Sequence, residues 1–184
     1  VAAPVTQTHF RIYQDDAGVG LESAYAAEDT NVAAIQSTIA LPPVITILRI
    51  QSLTTPVQTG STCTLQYSID GGAYAQVPTT IGADFISMAD SPYFTNGASV
   101  DSILTAPGGG TDWTAGSAQD TSSQITGINL STNWWQENLW SIYFSASAVG
   151  HVYTFHQLYS VGSQTWTSVP SITVKNSYFR IHNV

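Results

Sequence analysis

Apolar and polar residues alternate with period two through most of this chain, and the 3.6-residue period of an amphipathic helix is nearly absent. Period two puts successive side chains on opposite faces of an extended backbone, so the chain can bury its apolar faces only by stacking strands into sheets. Residues 5–14, 44–50, 64–69, 73–77, 124–130, 138–146, 151–161 and 171–174 read as strands, with one or two more within 81–94. Asp70-Gly71-Gly72 has the chemistry of a tight hairpin turn, and Asp15-Asp16-Ala17-Gly18 closes the first strand. Residues 21–34 are the least β-like part and read as a loop or one or two helical turns. Residues 97–119, with Gly108-Gly109-Gly110 and few apolar anchors, read as a long Gly-rich surface loop. Many short strands separated by polar turns predict an all-β, antiparallel sandwich, Ig-like or jelly-roll-like, with residues 1–176 as one domain.

Charge narrows the function. Four basic residues, Arg11, Arg49, Lys175 and Arg180, face twelve acids, for a formal net charge of −8. So few cations cannot neutralise a phosphate backbone or hold an anionic bilayer surface, so nucleic acid is not an expected partner. No stretch approaches the roughly 18 apolar residues of a membrane-spanning helix, so membrane insertion is not expected either. Ser and Thr fill 44 of the 184 positions and Lys occurs once, a habit of extracellular, cell-surface or virion proteins. The single cysteine, Cys63, allows no internal disulfide. It shares an apolar face with Leu65, Tyr67 and Ile69, which predicts a buried, inert thiol.

The two ends of the chain echo each other. Val5-Thr6-Gln7-Thr8-His9-Phe10-Arg11-Ile12-Tyr13-Gln14 matches Val174-Lys175-Asn176-Ser177-Tyr178-Phe179-Arg180-Ile181-His182-Asn183. Alternation alone explains the Phe and the Ile, but not an Arg between them in both copies. Residues 177–184 therefore read as a terminal strand repeating residues 8–14, either the start of a next repeat or a strand exchanged between identical subunits. Phe10, Arg11, Ile12, Phe179, Arg180 and Ile181 are the candidate assembly residues. A strand donated to a neighbour's sheet edge satisfies that edge with main-chain hydrogen bonds, and a head-to-tail contact that does not close makes a filament.

Chemistry-bearing patterns are sparse. His9, His151, His156 and His182 are the only histidines, and His151 and His156, five apart on one strand, face opposite sides. No Gly-x-Ser-x-Gly elbow occurs, and Gly108-Gly109-Gly110 lacks the Lys-Ser/Thr of a phosphate loop. No catalytic residue and no cofactor are expected. Asp15-Asp16 and Glu28-Asp29 form a weak calcium pattern if the intervening loop folds back, but ordinary turn and helix-cap usage of Asp is the favoured account of them. Asn133-Trp134-Trp135-Gln136-Glu137-Asn138 is the binding candidate: an exposed Trp face flanked by amides suits a sugar ring, which points to Trp134, Trp135 and Gln136, with core or interface packing as the competing role.

Phe10-Arg11-Ile12-Tyr13-Gln14-Asp15-Asp16-Ala17-Gly18, then Ala24-Tyr25-Ala26-Ala27-Glu28-Asp29-Thr30-Asn31-Val32, resembles a β-sandwich repeat module of phage virion and bacterial cell-surface structural proteins. Leu65-Gln66-Tyr67-Ser68-Ile69-Asp70-Gly71-Gly72-Ala73-Tyr74 is similar to a further segment of such modules. The likeness covers about 40 residues, and Ala17 before Gly18 departs from it. It implies a structural or adhesive surface module. The expected function is a non-enzymatic subunit of an extracellular or virion fibre, assembling head to tail with copies of itself. The alternative is an adhesive module that binds host or matrix glycans through exposed Trp.

Overall fold

A computed structural model describes residues 4–37, 45–55 and 57–176. The chain folds into two mostly antiparallel sheets, as the period-two pattern requires. In chain order the strands are β1 (Pro4–Gln14), β2 (Val32–Ser37), β3 (Ile45–Thr54), β4 (Gln58–Ile69), β5 (Ala75–Gln76), β6 (Ile86–Met88) and β7 (Ser99–Val100). They continue with β8 (Asp112–Trp113), β9 (Gly116–Gln119), β10 (Gln124–Leu130), β11 (Trp134–Phe144), β12 (Val152–Tyr159), β13 (Ser163–Trp166) and β14 (Ser171–Asn176). The first sheet has the order β13-β1-β3-β11-β9-β7, with β6 and β8 also on β11. The second has the order β10-β4-β12-β14-β2, with β5 on β4.

The sheets meet face to face through one apolar core. Phe10, Ile12, Leu48, Ile50, Trp140 and Ile142 come from the first sheet; Cys63, Leu65, Tyr67, Tyr153, Phe155, Ile172 and Val174 come from the second. Val5 and Val174, which match in the terminal echo, both lie in this core, on opposite sheets. Residues 177–184, the other half of the echo, lie outside the described residues.

The hairpin at Asp70 forms as expected. Gly72 N donates to Ile69 O at 2.8 Å, and Asp70 (φ 50°) and Gly71 (φ 77°) both have positive φ, the type I′ geometry whose twist matches the flanking strands. Residues 21–31 form a loop laid along β1, where Tyr25 N donates to Ile12 O and Asp29 N to Phe10 O, each at 2.9 Å.

Three expectations change. Residues 97–119 do not run as one long Gly-rich surface loop: β7, β8 and β9 lie within them, β8 and β9 pairing in parallel with β11 and β7 pairing antiparallel with β9. This approach of β9 to β11 needs glycine at 116, since a Cβ there would stand 1.8 Å from Glu137 O. Strand β2 occupies a stretch that period two did not mark, because Val32-Ala33-Ala34-Ile35 is a short apolar run without alternation. Strand β13 was also unmarked; its four residues sit at the edge of the first sheet, parallel to β1.

The first sheet is buried on both faces. Its outer face carries a second, smaller core of Tyr13, Ile47, Phe94, Val100, Ala118 and Leu139, so the covering segments form a partial third layer over the sandwich.

Candidate functional site

The strongest polar constellation lies under that third layer. Glu137, in β11, is fully buried, and so is Arg49 in the neighbouring β3. Arg49 Nη1 donates to Glu137 Oε2 at 2.8 Å and to the Asp101 carbonyl at 2.7 Å. Three further donors come from the covering segment: Ser102 Oγ at 2.9 Å, and Ile103 N and Leu104 N at 3.1 Å each. Gln51 Nε2 adds a long contact at 3.4 Å. An ionised carboxylate is tolerable in such a place only when its lone pairs are occupied by donors and a cation stands beside it. Glu137 therefore works as an internal anchor that pins residues 101–104 onto the sheet.

A second polar network crosses the main interior. Gln157 N donates to Gln7 Oε1 at 2.9 Å, and Gln157 Nε2 to Ile50 O at 3.0 Å. Gln157 Oε1 accepts from Asn138 Nδ2 at 2.7 Å and from Cys63 Sγ at 3.0 Å. These bonds tie β1, β3 and β11 of one sheet to β4 and β12 of the other. Cys63 is fully buried, and burial pushes its thiol up, as expected of an inert cysteine. A cleft of about 280 Å³ is lined by residues 114–117 and 125–129 together with Gln136 and Asn138.

Trp134 and Trp135 are both half-buried. Trp134 packs on the main core. Trp135 has Gly110 against its ring, so close that a Cβ there would stand 2.8 Å from Cε3. Gln136 is 3% exposed and its Nε2 donates to the Tyr159 hydroxyl at 2.9 Å. Of the candidate assembly residues, Phe10 and Ile12 are buried in the core of the chain itself, while Arg11 is half-buried, with Nε donating to Ala26 O at 3.1 Å. Phe179, Arg180 and Ile181 lie outside the described residues.

The two acid pairs serve separate segments. Asp15 accepts from Ser91 Oγ at 2.7 Å and Asp16 from Ser23 N at 2.9 Å. Glu28 accepts from Thr105, and Asp29 from Phe10 N at 3.0 Å. Asp29 sits beside Phe10, five strand residues or about 17 Å of extended chain from Asp15. A shared calcium shell of all four is therefore not what the loop builds. Among the described residues the group with metal-ligand spacing is His9, Glu28 and Asp29.

The outer face of the second sheet carries a feature that the sequence did not single out. His156, in β12, lies between Tyr74 and Trp166, with ring centroids 3.8 and 4.2 Å away and planes within 11° and 12° of parallel. His156 Nε2 is 2.6 Å from Gln66 Oε1, the Tyr74 hydroxyl is 3.1 Å from Thr154 Oγ1, and Trp166 Nε1 donates to Gln157 O at 3.2 Å. His156 is 5% exposed, whereas Tyr74 and Trp166 are 40% and 38% exposed. Each outer ring has one face covered by the imidazole, so its exposed area lies on its edge and its other face. The three rings are separated by 82 and 10 residues in sequence, too far apart for any local pattern to join them.

Comparison with protein-family models, with curated proteins and with solved structures finds no match to this chain.

Two consequences are measurable. Glu137→Gln leaves the Arg49 charge buried without its partner and should lower stability by about 3–5 kcal/mol. It should also open residues 101–105 to limited proteolysis before the rest of the chain. Burial lowers His156 to about 4, against 6.5 for a free imidazole. The unfolded chain therefore takes up this proton first as pH falls from 6.5 to 4, and stability is lost across that window. Asp15 and Glu22, raised by burial, act in the opposite sense. Thermal melts of wild type and His156→Phe at matched pH isolate the imidazole: the wild type should lose more Tm between pH 6.5 and 4, and parallel curves would refute the assignment.

Proposed function

We propose that the protein is a non-enzymatic structural subunit of an extracellular or virion fibre, joined head to tail to copies of itself by addition of a terminal β-strand. The observation that carries this reading is the unequal state of the sheet edges. Strand β10 is interrupted by two register shifts against β4, β13 has four residues and β7 two, all forms that blunt an edge. Strand β2 is different. It has six residues, pairs on one side with β14, and is the end strand of its sheet among the described residues. Among the described residues no strand lies on its other side, which offers a row of main-chain donors and acceptors to another strand.

The donor is the segment 177–184, which follows β14 directly and repeats the Phe-Arg-Ile pattern of β1. In β1 that pattern sends Phe10 and Ile12 into the core and leaves Arg11 half-buried. In a donated strand the same alternation of the sequence would turn Phe179 and Ile181 to one face and Arg180 to the other. The resemblance of residues 10–32 to virion and cell-surface modules supports the same reading, as do the hydroxyl-rich composition and the scarcity of Lys.

A second reading, adhesion to glycans, draws support from Tyr74 and Trp166 in place of Trp134 and Trp135. The Tyr74 hydroxyl meets Thr154 and the imidazole between the rings meets Gln66, both uncharged, and apolar stacking plus neutral hydrogen bonding suits a sugar ring.

Deleting residues 177–184 should leave folded chains that form no filaments by electron microscopy at concentrations where the full chain does; filaments from the truncated chain would refute strand addition. On a glycan array, any binding by the full chain should fall at least tenfold in Trp166→Ala and stay unchanged in Trp135→Ala; the reverse order would return the adhesive reading to the Trp134–Trp135 pair.

A further inference from the structure

We propose that His9, Glu28 and Asp29 form a binding site for a first-row divalent transition metal ion of the Zn²⁺ type, placed where β1, the 27–30 turn and the 102–106 segment meet. The site is independent of the fibre reading. His9 Nδ1 stands 3.1 Å from Glu28 Oε1 and 2.6 Å from Asp29 Oδ2, and one donor atom from each of the three residues lies within 4.8 Å of the others. A four-coordinate ion with bonds of about 2.0–2.2 Å places neighbouring donors about 3.4 Å apart. Entry of the ion therefore requires Asp29 Oδ2 to withdraw from Nδ1 by less than about 1 Å, and the Nδ1 position to give up any proton to solvent. The imidazole then ligates through the Nδ1 lone pair while Nε2 keeps its hydrogen.

Both carboxylates are already oriented from behind. Asp29 Oδ1 accepts from Phe10 N at 3.0 Å and from Ser168 Oγ at 2.5 Å. Glu28 Oε2 accepts from Thr105 N at 3.1 Å and Thr105 Oγ1 at 3.2 Å, and Glu28 Oε1 receives a weaker bond from Thr105 N at 3.2 Å. Outer donors of this kind hold ligating oxygens in place and leave the facing oxygens to the ion. The charge balance also favours a cation. Two adjacent carboxylates share a single imidazole, and no Lys or Arg among the described residues forms an ion pair with either. Asp29 is exposed while His9 and Glu28 are half-buried, which leaves one side of the site open to solvent for entry and for a further ligand.

The donor set decides which ion. One imidazole nitrogen with two carboxylate oxygens suits borderline ions such as Zn²⁺. Calcium needs six to eight oxygens, and Asp15 and Asp16 are engaged elsewhere. The bound ion would link the first strand to two covering segments.

Isothermal titration and thermal melts of the full chain with ZnCl₂ test this. One Zn²⁺ per chain should bind, raise Tm by several degrees and be removed by chelator, and CaCl₂ at the same concentration should do neither. His9→Asn keeps a hydrogen-bond donor near the Nδ1 position but removes the ligating nitrogen, and should weaken Zn²⁺ binding at least tenfold. Absence of Zn²⁺ binding by the wild type, or equal binding by His9→Asn, would overturn the site. Should the variant not fold, zinc-edge X-ray absorption of the loaded wild type decides: a nitrogen/oxygen shell with one imidazole supports the site, and sulfur or two imidazoles overturns it.

Discussion

The first sheet depends on one buried carboxylate. Glu137 gathers Arg49, Ser102 and the main-chain N–H groups of Ile103 and Leu104 in a place without solvent. The consequence is architectural. A sheet buried on both faces needs a cover, and this cover consists of irregular chain whose own N–H groups need acceptors. Glu137 supplies acceptors to the cover, Arg49 balances the charge, and the apolar contacts of Phe94 and Val100 close over the same face. Most of the energy comes from burying apolar surface, but the carboxylate fixes where the cover sits.

The main interior follows related logic with neutral groups. Gln157 bonds to Gln7, Asn138, Cys63 and the Ile50 carbonyl, so both sheets share one amide at their centre. Apolar packing between two sheets tolerates sliding, whereas a residue bonded to four partners on two sheets tolerates one alignment, because a shift would strand several buried donors and acceptors at once. The stacked rings on the outer face owe their order to the same frame. Cross-strand pairing of His156 with Gln66 brings the imidazole to its amide partner, and Trp166 reaches it from a strand that belongs to the other sheet.

Much of the strand inventory was legible in the sequence, because a half-buried strand writes its burial into alternate residues. Strand β1 and the Asp70-Gly71 hairpin turn were readable for that reason. Strand β2 was not, since an edge strand of small apolar residues has no alternation to read. The strands within 97–119 leave no such mark, because strands of two to four residues are too short to show a period. The site residues were less legible still. Glu137 looked like a polar neighbour of exposed tryptophans, yet in β11 it lies on the face covered by residues 101–104. Glu28 and Asp29 were noticed as acids, but His9, about twenty residues earlier, joins them only because the 21–31 loop folds back along β1. Tyr74, His156 and Trp166 carried no shared signal at all.

By itself, then, the sequence determined the class of structure: a charge-poor, hydroxyl-rich chain whose alternation can bury itself only as stacked sheets, with one inert thiol and one motif written at both ends. Tertiary structure decided which polar residues became anchors, which aromatic rings stayed open and which donors met. The division has a physical cause. Burial of one strand face is a local property, repeated every second residue and therefore visible along the chain. A hydrogen bond from Arg49 to Glu137, or a ring stacked across two sheets, joins residues 88 or 10 positions apart and exists only once the packing has brought them together.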